Sequence, residues 1–190
     1  MLNMIDNGWL TTACRRPSAN CDERPQDSEI DLVVIHGISL PPGEFGEGWI
    51  EDLFCNQLDP AAHPSFCDIS ELRVSAHVLI RRDGSVIQFV PFDKRAWHAG
   101  ESSFEGRERC NDFSIGIELE GTDEHPYDPA QYRMLVHLVC LLMSRYPHIT
   151  PAHIVGHCDV APGRKTDPGE SFNWSMFRAM LQDDIHASSD

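Results

Sequence analysis

The sequence predicts one α/β domain built on a central mixed β-sheet flanked by helices. Three observations lead there: short β-branched apolar runs alternate with amphipathic helical stretches, a hairpin signal lies between them, and 190 residues suit a single core. Residues 31–36 (DLVVIH) are a continuous apolar run that reads as a buried strand ending in His36. Residues 37–70 are rich in Gly and Pro, with at most a short helix around Trp49–Asn56, and are expected to form a functional wall or lid. Residues 75–81 and 85–90 flank Asp83-Gly84, the dipeptide of a tight type I′ hairpin.

A further strand is read at 113–120 (FSIGIELE), with Phe113, Ile115, Ile117 and Leu119 on one face. Ser114, Gly116, Glu118 and Glu120 occupy the other, which is expected to be solvated at least at Glu120. Asp128-Pro129-Ala130-Gln131 combines a cap, a proline suited to the first helical position and a capping-box partner. Tyr132, Leu135, Val136, Val139, Leu142 and Met143 follow at helical spacing until Pro147. Residues 152–157 (AHIVGH) read as another strand ending in histidine. A last helix after Asn173 turns Trp174, Phe177 and Leu181 inward. The expected domain is 1–190, with a core of about 8–182 and a disordered tail at 183–190.

Composition narrows the function. Thirty acidic against fifteen basic residues give a formal charge of −15, which argues against nucleic-acid or anionic-membrane partners. An anionic substrate would then need its own local arginines against that field. The basic residues are thirteen arginines and only two lysines, Lys94 and Lys165. The longest apolar run, 135–143, is broken by His137 and falls far short of the ~20 residues of a membrane span. The N-terminus lacks the basic start and apolar stretch of a secretory signal. Seven scattered cysteines suggest neither a disulfide framework nor a zinc ribbon, so a reducing cytoplasm is the expected location.

The chemistry concentrates at two strand ends. His36 and His157 each close an apolar strand, where ligands bind in open α/β sheets. Asp167 follows in HCDVAPGRKTDPG, whose glycines and prolines imply a loop that folds back. Two imidazoles and a carboxylate make a three-ligand zinc site with a position left for water, the arrangement of a catalytic zinc. Cys158 and Asp159 are competing ligands. Strand alternation would turn Cys158 away from His157, to serve as a small buried hydrophobe.

The strings LRVSAHVLIRRDGSVIQFVPFDKRAWHAG, GRERCNDFSIGIELEGTDEHPY and GHCDVAPGRKTDPG closely resemble the zinc amidases, the family that includes phage amidase lysozymes and peptidoglycan recognition proteins. The likeness runs from about Gly8 to Met180 and is strongest to cytoplasmic members that act on anhydromuropeptides. It implies the family's mixed sheet flanked by helices and cleavage of the amide between the anhydro-N-acetylmuramic lactyl group and L-alanine during cell-wall recycling. One zinc ion per chain on His36, His157 and Asp167 is implied as well. It further implies Glu118 as proton-transferring carboxylate and Lys165, two residues before Asp167, as stabiliser of the oxyanion. Arg73 and Arg109 match positions that hold substrate, where guanidinium forks suit peptide carboxylates. Trp97 and His98 would line the pocket. Gly37 stands where the family pattern leads one to expect Asn, which removes a contact to substrate or to a ligand's support. Lys94 is expected to be structural or peripheral. The partner implied is a small anhydromuropeptide bound by a monomer. A non-catalytic peptidoglycan-fragment binder on the same fold, or an amidase of intact cell wall, are the alternatives, but no ligand position is missing.

Overall fold

The computed structural model describes residues 4–187. Its centre is a six-stranded mixed sheet of β1 (Cys14–Arg15), β2 (Leu32–Ile38), β3 (Val78–Ile80), β4 (Val86–Gln88), β5 (Ser114–Glu120) and β6 (Ile154–Gly156). The spatial order is β6-β2-β5-β3-β4-β1. The β6–β2, β2–β5 and β5–β3 pairs are parallel and the β3–β4 hairpin is antiparallel, with β1 parallel to β4 at the edge. Four helices accompany it: α1 (Trp49–Phe54), α2 (Pro129–Arg145), α3 (His157–Val160) and α4 (Trp174–Ala187). Two-residue strands also pair at Ile5–Asp6 with Trp9–Leu10 and at Ser103–Phe104 with Arg107–Glu108. Cys21–Glu23 pairs with Lys94–Ala96.

Both faces of the sheet are covered. Val33, Ile35, Ile115, Ile117 and Leu119 face α2 and α4 in one cluster, which Leu135, Leu138, Val139, Phe177 and Leu181 complete. On the opposite face Leu32 and Val34 meet Ala99, Cys110, Phe113 and Val160, while α1 and the following segment bring Ile50, Phe54 and Phe66 onto Leu79 and Phe89. The stretch 37–70 is therefore a packed wall. The polar face of β5 is covered too: Glu120 is 1% exposed and Glu118 8%. Glu120 is held by Arg81 Nη1 at 3.0 Å and by the Gly46 and Arg82 N–H groups, so the solvated outer face expected here is an internal ion-pair network. Alternation reports which residues share a face, and burial of that face depends on what packs over it.

Local signals act as their chemistry requires, with three corrections. Asp128 caps α2 by accepting from the Ala130 N–H at 2.8 Å, and Gln131 Oε1 accepts from the Asp128 N–H at 2.9 Å. The hairpin forms at the expected place, but its turn is not type I′. Arg81 O accepts from the Gly84 N–H, and Gly84 alone of the Asp83-Gly84 pair has positive φ, +83°. This is a three-residue loop with glycine at its left-handed position, while the Asp83 carboxylate accepts from the Ser85 N–H. Second, the strand expected at 152–157 is only Ile154–Gly156, preceded by a 3₁₀ turn at Pro151–His153 and followed at once by α3. Third, α4 continues to Ala187, so residues 183–187 are helical where a disordered tail is expected; 188–190 lie outside the described residues. All seven cysteines are free thiols, and no described helix is long and apolar enough to cross a membrane.

A buried histidine ties the sheet to its covering segment. His77 Nδ1 accepts from the Gly116 N–H at 3.0 Å, and Nε2–H donates to the Lys94 carbonyl at 3.0 Å. Burial, reinforced by the nearby Arg24 guanidinium, lowers its pKa to about 3 from 6.5. The unfolded chain takes up this proton below about pH 6.5 and the folded chain does not, so stability is full above that pH and declines as pH falls toward 3. Between about pH 7 and pH 5 this one site should remove about 2 kcal/mol of stability. Urea unfolding of the metal-free protein and of His77→Gln, which keeps an acceptor and a donor, should show a shallower decline in the variant.

Candidate metal centre and catalytic pocket

Parallel register assembles the site. In the β2–β5 pair His36 lies opposite Glu118, and in the β6–β2 pair Gly156 lies opposite Ile35, which places His157 beside His36. Paired residues of parallel strands point to the same face about 4.8 Å apart. His36 and Glu118 thus share one face at the carboxyl ends of their strands, and His157 begins α3 just past the end of β6. α3 opens with Asp159 Oδ2 accepting from the Gly156 N–H at 2.7 Å. The loop after it returns when the Cys158 N–H donates to the Asp167 carbonyl at 3.0 Å, bringing Asp167 to both histidines. Cys158 is half-buried in this helix, not turned away by strand alternation, and among the described residues the compact group of side chains that could hold a metal ion is His36, His157 and Asp167.

His36 Nδ1 lies 3.0 Å from His157 Nδ1 and 3.3 Å from Asp167 Oδ2, and His157 Nδ1 lies 3.0 Å from the same oxygen. A tetrahedral site with N and O ligands at 2.0–2.1 Å has edges of about 3.3 Å, so the triangle fits one face of zinc coordination. The far nitrogens support it. His157 Nε2 lies 3.2 Å from the Ala99 carbonyl, which can only accept, so Nε2 carries hydrogen and Nδ1 turns a lone pair inward. His36 Nε2 lies 2.9 Å from His98 Nδ1, and His98 Nε2 lies 3.2 Å from Ser114 Oγ. A relay of N–H donors from His36 to His98 to Ser114 leaves His36 Nδ1 bare as well. Burial lowers the His36 pKa to about 4, with His157 adding to the effect, which keeps the imidazole neutral as a metal ligand requires. Burial raises the Asp167 carboxyl, but its contacts with the His157 and His36 rings outweigh it and hold it well below the usual range.

Glu118 is the opposite kind of carboxyl. Its Oε2 is buried without a hydrogen-bond partner, and burial followed by the Asp167 charge pushes its pKa well above the ordinary value, against the pull of Lys165. Lys165 itself is exposed on the loop after α3, close enough for its charge to act on both Glu118 and His36.

The remaining expectations fall differently. His98 is half-buried beside His36, against Gly116, where a Cβ would sit 2.4 Å from its ring. That close approach accounts for a glycine inside β5, the one sequence sign of a neighbour there. Trp97 is half-buried and donates Nε1–H to Asp22 Oδ1 at 3.2 Å. Arg109 is exposed, pairs with Asp112 at 3.3 Å and lines a cleft with Ser102, Val160 and Arg164 beside α3. Arg73 is exposed with contacts only to its own turn, at Glu71 and Leu72. Gly37 faces the Tyr127 hydroxyl, from which a Cβ would be 2.3 Å away, and that hydroxyl donates to the Pro168 carbonyl at 2.9 Å. The place expected for an asparagine contact is thus filled by Tyr127, which the sequence reading missed. Lys94 forms a surface pair with Glu23 at 2.6 Å.

The sequence profile of the N-acetylmuramoyl-L-alanine amidases matches residues 26–170, a span that includes all three candidate ligands and Glu118. The chain belongs to that family. It is 58% identical over 183 residues to 1,6-anhydro-N-acetylmuramyl-L-alanine amidase AmpD of Citrobacter freundii, covering 96% of this chain and 97% of that protein. Against AmpD of Escherichia coli K12 it is 57% identical over 178 residues, 94% and 97% of the two chains. The crystal structure of a selenomethionine AmpD derivative superposes with a TM-score of 0.92 at 59% identity, over 94% of this chain and 99% of that one. E. coli AmiD, solved in complex with the substrate anhydro-N-acetylmuramic acid-L-Ala-D-γ-Glu-L-Lys, superposes at 0.59 with 31% identity, over 84% and 61%. This amidase therefore has the family fold expected from its sequence.

The relay behind His36 gives a direct test in this amidase. His98→Phe keeps the ring volume and removes the acceptor for His36 Nε2–H. Competition with a chelating dye should show zinc held 10–100-fold more weakly.

Proposed function

We propose that this enzyme hydrolyses the amide between the anhydro-N-acetylmuramic lactyl group and L-alanine of muropeptides, using one zinc ion held by His36, His157 and Asp167. The single observation that carries the reading is the pairing of that ligand triangle with a partnerless, buried Glu118 one strand away. Zinc, when bound, supplies Lewis acidity that polarises a carbonyl and lowers the pKa of water toward ~7. Glu118 Oε2 takes a proton from the attacking water and delivers it to the L-alanine nitrogen as the amide breaks. Its raised pKa suits a group that must both accept and return a proton near neutrality. Lys165 places its ammonium where negative charge develops on the former carbonyl oxygen. Arg109 and Arg73 supply guanidinium groups for the carboxylates of the stem peptide, and Trp97 an apolar wall for the sugar or peptide.

The chain acts as one catalytic domain over residues 1–190. It is a cytoplasmic monomer in peptidoglycan recycling, without nucleic-acid or membrane partners; free thiols, net acidity and 57–58% identity to two AmpD enzymes support this.

Mass spectrometry of an anhydromuropeptide digest should show the free stem peptide, and a zinc chelator should abolish it. Glu118→Ala should lower kcat by at least ~10²–10⁴ while zinc stoichiometry stays at one. Hydrolysis at the wild-type rate by that variant would refute the assignment. Lys165→Ala should lower kcat by ~10²–10³, with KM changed far less.

A further inference from the structure

Two side chains converge on a single carbonyl oxygen behind the metal centre. The Ala99 carbonyl accepts from His157 Nε2–H at 3.2 Å and from Arg164 Nη2–H at 2.5 Å. The same Arg164 nitrogen also donates to the Glu101 carbonyl at 2.6 Å. Among the described residues Arg164 forms no ion pair, and its Nη2 group is given to two backbone oxygens of one loop instead. That loop turns at Gly100, φ +61°, between Ala99, which packs on Leu32 and Val34, and the exposed Glu101.

We propose that Arg164 is a positioning residue for the metal ligand His157, a proposal that rests on the zinc reading above. A carbonyl oxygen has two lone pairs and accepts both donors at once, and the bond from a charged guanidinium is the stronger. By pinning the Ala99 carbonyl, Arg164 fixes the acceptor that holds hydrogen on His157 Nε2 and turns Nδ1 toward His36 and Asp167. The same residue anchors the far end of the site. Its own N–H and that of Lys165 both donate to the Ala161 carbonyl at 3.1 Å, and the third ligand, Asp167, follows three residues later. One side chain thus couples the orientation of the second ligand to the start of the loop that carries the third. Without it the 99–101 loop loses two charge-assisted hydrogen bonds, and the His157 ring can flip or change tautomer.

Arg164→Gln and Arg164→Met test this, the second keeping an apolar stem and no donor. Zinc affinity is read by competition with a chelating dye, and the His157 tautomer by long-range ¹H–¹⁵N spectra of the metal-free protein. Each folded variant should bind zinc 10–100-fold more weakly and show His157 as a mixture of tautomers. Arg164→Lys, with one charged donor and no fork, should recover part of the affinity. Circular dichroism of the metal-free variants identifies which of the pair has folded and carries the test. Affinity within twofold of wild type, with the Nε2–H form intact, would overturn the proposal. Wild-type protein that takes up no zinc would instead sink the metal reading, and the tautomer spectra alone would then decide the role of Arg164.

Discussion

Parallel pairing of β6, β2 and β5 is the constraint on which the rest of the site depends. Because side chains repeat every two residues, slipping any of these strands by one residue would send its functional group to the opposite face, into the apolar cluster under α2 and α4. The continuous apolar runs that end in His36 and alternate through 113–120 set that register by burying Val33, Ile35, Ile115 and Ile117 on one side. Core packing and active-site geometry are therefore one choice. The strand that buries Ile117 on its lower face is the strand that raises Glu118 beside His36 on its upper one.

The third ligand reaches the centre by a different device. Asp167 belongs to no strand, and a loop can place a carboxylate to within a hydrogen bond only if its backbone is tied down. Here the ties are the Cys158 N–H on the Asp167 carbonyl, the Tyr127 hydroxyl on the Pro168 carbonyl and the Arg164 fork on the 99–101 loop. These bonds join the loop to α3, to the residues after β5 and to the segment that covers the sheet. His98 joins the same covering segment to His36. The three candidate metal ligands are thus held from behind by a layer that packs over β2 and β5.

The parts legible in the sequence were those with a period or a short chemical signature. The apolar runs and the capping box at Asp128–Gln131 each follow from local residue order, and the structure places them as read. Polarity on β5 was legible as a shared face, but its burial was not, because the covering segment from Trp97 to Phe113 has no periodicity to announce it. The same gap hid the relation of His98 to His36, although Gly116 carried its imprint. Two-residue strands such as Cys14–Arg15 are too short to show a pattern at all. His157 was placed at a strand end when it is the first residue of a helix, a boundary error of one residue that leaves its Cα in nearly the same place.

The two carboxyl groups of the pocket show how environment divides labour between like residues. Asp167 lies close enough for its charge to act on Glu118, in a chain whose net charge is −15, and both cannot ionise freely there. Asp167 lies against two imidazoles that hold its carboxyl well below the usual range, so it stays ionised, as the proposed ligand role requires. Glu118 has no partner for its Oε2 and feels the Asp167 charge, so its proton is held more tightly. The displacement runs one way: the firmer the ionisation of Asp167, the more basic Glu118 becomes. A buried carboxyl without a partner costs stability that no packing in this pocket returns. A position kept at such cost, one strand from the candidate metal ligands, fits the proton transfer proposed for Glu118 and answers no need of the fold.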